Sequence, residues 1–151
     1  MNASAVFSRA FIPKAQRRRT HQWSKITLFE EMSPWVGDCV ARISDLSQLP
    51  ADWDSYGSNA ITEHAIRAAL RFLAEAPLRL IAEPSVSPVP GGGIGFHWRV
   101  DTRDLELEFS PSGGIEFLAV EKSTDGDTHQ EGVLQDLSEP KLWHWLSGET
   151  A

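Results

Sequence analysis

The stretch Leu49 to Ala76, LPADWDSYGSNAITEHAIRAALRFLAEA, constrains the chain most, because it joins a dense turn signal to the clearest amphipathic helix in the sequence. Thr62 is placed as an N-cap whose hydroxyl accepts from a free first-turn amide, and Glu63 sets negative charge at the positive helix end. Ile61 and Ile66 have the spacing of a hydrophobic staple, which fixes the angle at which the chain enters the helix. Ile66, Ala69, Leu70 and Leu73 predict the buried stripe, with Glu63/Arg67 and Arg71/Glu75 as i,i+4 pairs outside it. The helix should stop near Pro77.

Upstream, Asp52-Trp53-Asp54-Ser55-Tyr56-Gly57-Ser58-Asn59 surrounds two aromatic rings with polar turn formers. The structural expectation is an anchor: Trp53 and Tyr56 bury their rings against the helix while Asp52 and Asp54 bond local amides. The chemical alternative, a catalytic or metal pair, has two carboxylates at i,i+2 but no partner His or Cys nearby. The run Trp53 to Gly57, the following helix, Pro84-Ser85-Val86-Ser87-Pro88, and a Gly-rich turn into Phe96-His97-Trp98 resemble a group of small uncharacterised bacterial proteins. Those share Trp-Asp-Gly-Tyr-Gly, a Pro-x-Val-x-Pro segment and a strand ending in Glu-Trp; here Ser55 and His97 depart from the pattern. The resemblance spans roughly residues 49 to 120 and implies a bacterial soluble protein, with no activity attached.

A chain of 151 residues, 41% hydrophobic, has enough material for one cored domain and no apolar run long enough to span a bilayer. Its one cysteine, Cys39, excludes an internal disulfide and agrees with a reducing, cytoplasmic setting; on the apolar side of a predicted helix it reads as a small buried hydrophobe. Six tryptophans favour core anchors and interface anchors alike. The net charge of −7 is unevenly spread: residues 1 to 29 hold six basic and no acidic side chains, and the other 122 residues hold eight basic against 21 acidic. Such separation suits an arm that engages phosphate, an acidic partner or a neighbouring copy.

In chain order, residues 1 to 22 read as a basic, flexible arm and residues 23 to 151 as a single domain. Arg17, Arg18 and Arg19 in the arm are the candidate nucleic-acid contacts, salt-sensitive and without sequence preference. Residues 23 to 31 are a candidate edge strand. Ser33-Pro34 opens a helix with Val36, Cys39, Val40, Ile43 and Leu46 on one face. Prolines 84, 88 and 90 limit residues 84 to 89 to an edge strand, and Pro90-Gly91-Gly92-Gly93 turns the chain. Ile94 to Val100 and Leu105 to Phe109 alternate strictly, which predicts a hairpin across a four-residue turn, with a third strand from Ile115. That register pairs Val100 with Leu105, Arg99 with Glu106 and His97 with Glu108, and sets Glu116 beside Glu108. His97, Glu108 and Glu116 then form one outer row, either a solvated sheet face or a site for a divalent metal or acid/base chemistry. Residues 122 to 132 read as a polar loop. Ser138 caps a short last helix, Glu139 to Leu146, whose Leu142, Trp143, Trp145 and Leu146 leave a tryptophan for a partner surface.

The expectation is therefore an α+β domain: two helices, an antiparallel meander of three or four strands, and a short C-terminal helix. Functionally it points to a non-catalytic, cofactor-free bacterial module that binds another protein or its own copy as adaptor, antitoxin-like partner or inhibitor, with mobile DNA as one genomic setting. Trp143, Trp145, Trp53 and Tyr56 are the candidate protein-binding residues. The alternatives are a nucleic-acid binder using the arm and a metal-assisted enzyme at His97, Glu108 and Glu116.

Overall fold

A computed structural model of the chain describes residues 33 to 148. The basic arm, with Arg17 to Arg19, and the whole of the candidate strand at 23 to 31 lie outside the described residues. Two helices, α1 (Val36–Ser47) and α2 (Glu63–Glu75), and a 3-10 turn (Leu78–Leu80) come first. Five strands follow: β1 (Ser85–Val89), β2 (Gly93–Val100), β3 (Arg103–Phe109), β4 (Ile115–Glu121) and β5 (Thr128–Val133); α3 (Pro140–Ser147) ends the described chain. The strands form one antiparallel meander in sequence order. The α+β class stands. The strand count rises to five because Thr128–Val133, of which residues 128 to 132 are expected as loop, pairs along β4 from Glu121↔Thr128 to Glu116↔Val133.

Alternation decides which sheet face is covered. Ile94, Phe96 and Trp98 of β2 and Leu105, Leu107 and Phe109 of β3 are all buried and face the helices, α2 lying on both strands and α3 on β3. Phe72 of α2 is the hub of this core. Its ring stands 5.7 Å from those of Phe96, Phe109 and Trp143 and 6.1 Å from that of Trp98, the edge-on and tilted arrangements that aromatic quadrupoles favour. The tryptophan N–H groups are satisfied as well: Trp98 Nε1 donates to the Ala82 carbonyl at 2.7 Å and Trp143 Nε1 to that of Leu137 at 3.1 Å.

Phe72 also corrects the expected stripe of α2. The buried set is Ala65, Ala69, Phe72 and Leu73, while Leu70 is exposed and Ile66 only half-buried. The helix has turned to present its largest side chain to the sheet. In α1, Val36, Cys39, Ile43 and Leu46 are buried as expected and Val40 is exposed; the helix starts at Val36 with Trp35, not Ser33, as N-cap.

Thr62 locks α2 to the sheet. Its Oγ1 accepts from the Ala65 amide at 3.1 Å, as an N-cap should, and donates to the Pro111 carbonyl in the β3–β4 turn at 2.7 Å. Its own amide donates to the Gly92 carbonyl in the β1–β2 turn at 3.0 Å. Gly92 sits at φ +101°, and a Cβ there would come within 2.8 Å of the Ala60 carbonyl oxygen, so only glycine admits this approach.

Candidate functional site

The outer sheet face carries the polar residues, but in a different register from the one expected. Val100 pairs with Arg103, Arg99 with Asp104, His97 with Glu106 and Gly95 with Glu108. The connection is the two-residue turn Asp101-Thr102, with Asp101 at φ +53°, a left-handed conformation that Asp tolerates better than most residues. The pairing is thus shifted by two residues, which keeps every apolar side chain on the core face and rearranges the outer one. Glu108 does stand opposite Glu116, as expected. His97 belongs to the next row, so the proposed His97, Glu108, Glu116 line does not form. Among the described residues no group of three or more His, Cys, Asp or Glu side chains is arranged to hold a metal ion.

His97 instead joins a cluster around Asp104. The Asp104 carboxylate receives Arg99 Nε at 2.7 Å and Lys122 Nζ at 2.9 Å, with His97 Nε2 at 3.4 Å. The Arg99 guanidinium, then the Lys122 ammonium, hold the Asp104 carboxyl well below the usual carboxylate range. With its charge compensated by two cations, Asp104 fastens β2, β3 and the end of β4 together. Farther along the same face, Glu106, Glu108, Glu116 and Glu131 surround Leu118 in a shallow concavity of about 540 Å³. Leu118 and, farther along this outer face, Val120 are half-buried, although α3 lies on the opposite face and does not cover them.

The loop before α2 behaves as local architecture. Asp54 Oδ1 accepts from the Tyr56 amide at 2.9 Å and the Ser58 amide at 3.2 Å, and its other oxygen accepts from the Ser58 hydroxyl. The Ser58 hydroxyl bond, followed by the Tyr56 amide, lowers the Asp54 pKa. Asp52 Oδ1 takes the Gly57 amide at 2.7 Å. Both carboxylates therefore do the turn-building expected of them. Trp53 is half-buried and its Nε1 donates to the Asn59 carbonyl at 3.2 Å. Tyr56 departs from the anchor expectation: it is 94% exposed, its ring packed on nothing in the core.

The last helix separates its two candidate tryptophans. Trp143, expected at a partner surface, is 2% exposed and packed tilted against Phe72 and edge-on against Trp98, because α3 turns that side toward the sheet. Trp145 is the half-buried one. It borders a groove of about 570 Å³ between α3 and the β4–β5 end of the sheet, floored by Phe117, Ala119 and Leu142 and rimmed by Gln130, Asp136 and Lys141. Arg103 fixes Trp145 from behind: its guanidinium lies 5.6 Å from the ring centroid and Nη1 donates to the Trp145 carbonyl at 2.6 Å. The apolar floor exists because α1 and α2 cover the β1–β3 end of the sheet and α3 is too short to cover the rest.

This geometry defines a small α+β meander with an aromatic-bordered groove at one sheet edge. Compared with protein-family models, curated proteins and solved structures, the chain matches none of them. Of the residues lining the groove, sequence reasoning singled out Trp145 and missed its role beside Phe117, because that pairing depends on β5, whose segment Thr-His-Gln-Glu-Gly-Val has no apolar alternation. The available signal was the turn-rich Ser123 to Asp127, which is a suitable hairpin connection after an obvious strand.

Proposed function

We propose that this chain is a non-catalytic bacterial protein-binding module, acting in the cytoplasm as an adaptor, antitoxin-like partner or inhibitor. The observation that carries the reading is the groove between α3 and β5, where Trp145, held by Arg103, borders an apolar floor that the described fold leaves open. An immobilised aromatic beside open apolar surface is the usual composition of an interface anchor. The candidate contacts are accordingly Trp145 with Phe117; Tyr56, exposed on its loop, is a further contact at a separate place.

The charge division favours a second reading, nucleic-acid binding through Arg17, Arg18 and Arg19, since all six basic residues of the first 29 lie in an acid-free segment. Affinity capture from a bacterial lysate separates the two, using full-length chain, Trp145→Ala, and a triple Arg17→Ala, Arg18→Ala, Arg19→Ala variant, each with and without nuclease. Protein binding predicts a discrete protein that survives nuclease and the triple substitution and is lost with Trp145→Ala. Capture that vanishes with nuclease and with the triple substitution, and ignores Trp145→Ala, transfers the function to the arm.

A further inference from the structure

We propose that β5 is a strand-addition site, which accepts an extended partner segment whose residues alternate between aliphatic and basic; this deepens, and rests on, the protein-binding reading. Three features of the edge argue for it.

First, the two edges of the sheet differ in what their backbones offer. β1 contains Pro88 and is flanked by Pro84 and Pro90, so its edge is broken by residues without an amide donor. β5 has no proline, all six of its residues are exposed, and no described strand lies beyond it. Main-chain pairing with an added strand is the standard use of such an edge.

Second, the core-side neighbour of that edge is open. Gly132 pairs with Phe117, and a Cβ on Gly132 would stand 3.0 Å from Phe117 Cε1. The ring therefore lies against bare backbone at the edge, next to the groove that Trp145 borders. An added strand directs every second side chain to this side. Aliphatic side chains there would rest on Phe117 and Trp145.

Third, the outer side next to this edge carries four glutamates with no ion-pair partner among the described residues. Glu108 faces Glu116 directly, and Glu106 and Glu131 flank Leu118 in the adjacent row. The ion pairs of the described residues engage Glu63, Glu75, Asp104 and Glu121, and none engages these four glutamates. Like charges opposed across strands cost stability, and a lysine or arginine on the added strand beside Glu131 would reverse that sign. A second copy of β5 would bring another Glu131 to the same edge, so charge selects a basic partner over self-pairing.

The test is a ¹⁵N NMR titration of the full chain with capped octapeptides of alternating lysine and valine, and of alternating glutamate and valine. Expected are saturable shifts at residues 128 to 133 and at the Trp145 indole with the lysine peptide, none with the glutamate peptide, and about fivefold weaker binding to Glu116→Gln/Glu131→Gln. Strand addition further requires that N-methylating alternate peptide residues abolish binding in one register and spare it in the other, because successive amides of a strand point to opposite edges. Equal binding of the two methylated peptides, or shifts confined to other elements, would overturn the proposal. So would concentration-dependent shifts of β5 without peptide, which would place a second copy on the edge. Should the peptides leave β5 unmoved while Trp145→Ala still loses a captured protein, strand addition fails and the protein-binding reading survives; if neither responds, both fail.

Discussion

At the scale of single residues, chemistry that looks functional in sequence is largely structural in the fold. Asp104 is the clearest case. Its depressed pKa means that its contribution to stability is complete above the unfolded carboxylate value of about 3.9 and is lost as pH falls below that toward the folded value. Urea midpoints of the parent and Asp104→Asn should therefore differ most at neutral pH and converge below about pH 4; a gap that stays constant to pH 2.5 would deny the cluster its electrostatic role. Cys39 is the opposite case. Burial, then the nearby Glu83 and Asp38 charges, push its thiol up to about 11, so it stays protonated at neutral pH. Iodoacetamide at pH 8 should leave it unmodified in native protein and alkylate it once urea has unfolded the chain; rapid native alkylation would contradict its burial. The roles of Thr62 and of Asp52 and Asp54 were readable in sequence because caps and turns are local. The Asp104 cluster was not, because it depends on a hairpin register that period-two alternation leaves undetermined by two residues.

At the scale of elements, α2 and β5 show what patterning can and cannot determine. The existence, cap and ends of α2 follow from Thr62 and Pro77, whereas its rotation follows from Phe72, whose four ring contacts come from β2, β3 and α3. Phe72→Ala should cost about 3–5 kcal/mol in chemical denaturation, as core aromatic deletions do, against less than about 0.5 kcal/mol for surface changes such as Leu70→Ala. Similar effects at the two positions would restore the stripe expected from sequence. Gly92→Ala should be more harmful than Thr62→Ala, whose lost cap is worth about 1 kcal/mol, since the alanine adds left-handed strain and a contact with the Ala60 carbonyl. β5 was missed because a strand exposed along its whole length has no hydrophobic face to declare itself. Among the described strands it pairs only with β4.

At the scale of the whole molecule, the apolar resources of the chain are unevenly spent. Trp98 and Trp143 are consumed by the core, and the two longer described helices cover one end of the sheet, leaving Phe117 and Trp145 at the other end partly open. Of the five described tryptophans that suggested binding, Trp98 and Trp143 are thus core; the binding reading now rests on Trp145 and the edge beside it. Site-specific photocrosslinking in living bacteria tests that most directly, with a benzophenone amino acid placed in the full chain at Val133, which is 62% exposed, and at Glu75 on α2 as control. The account predicts a discrete, nuclease-resistant protein adduct from position 133 and none from position 75. Absence of any adduct at 133, together with nuclease-sensitive adducts from a benzophenone at position 18, would contradict it and make the basic arm the working part of the chain.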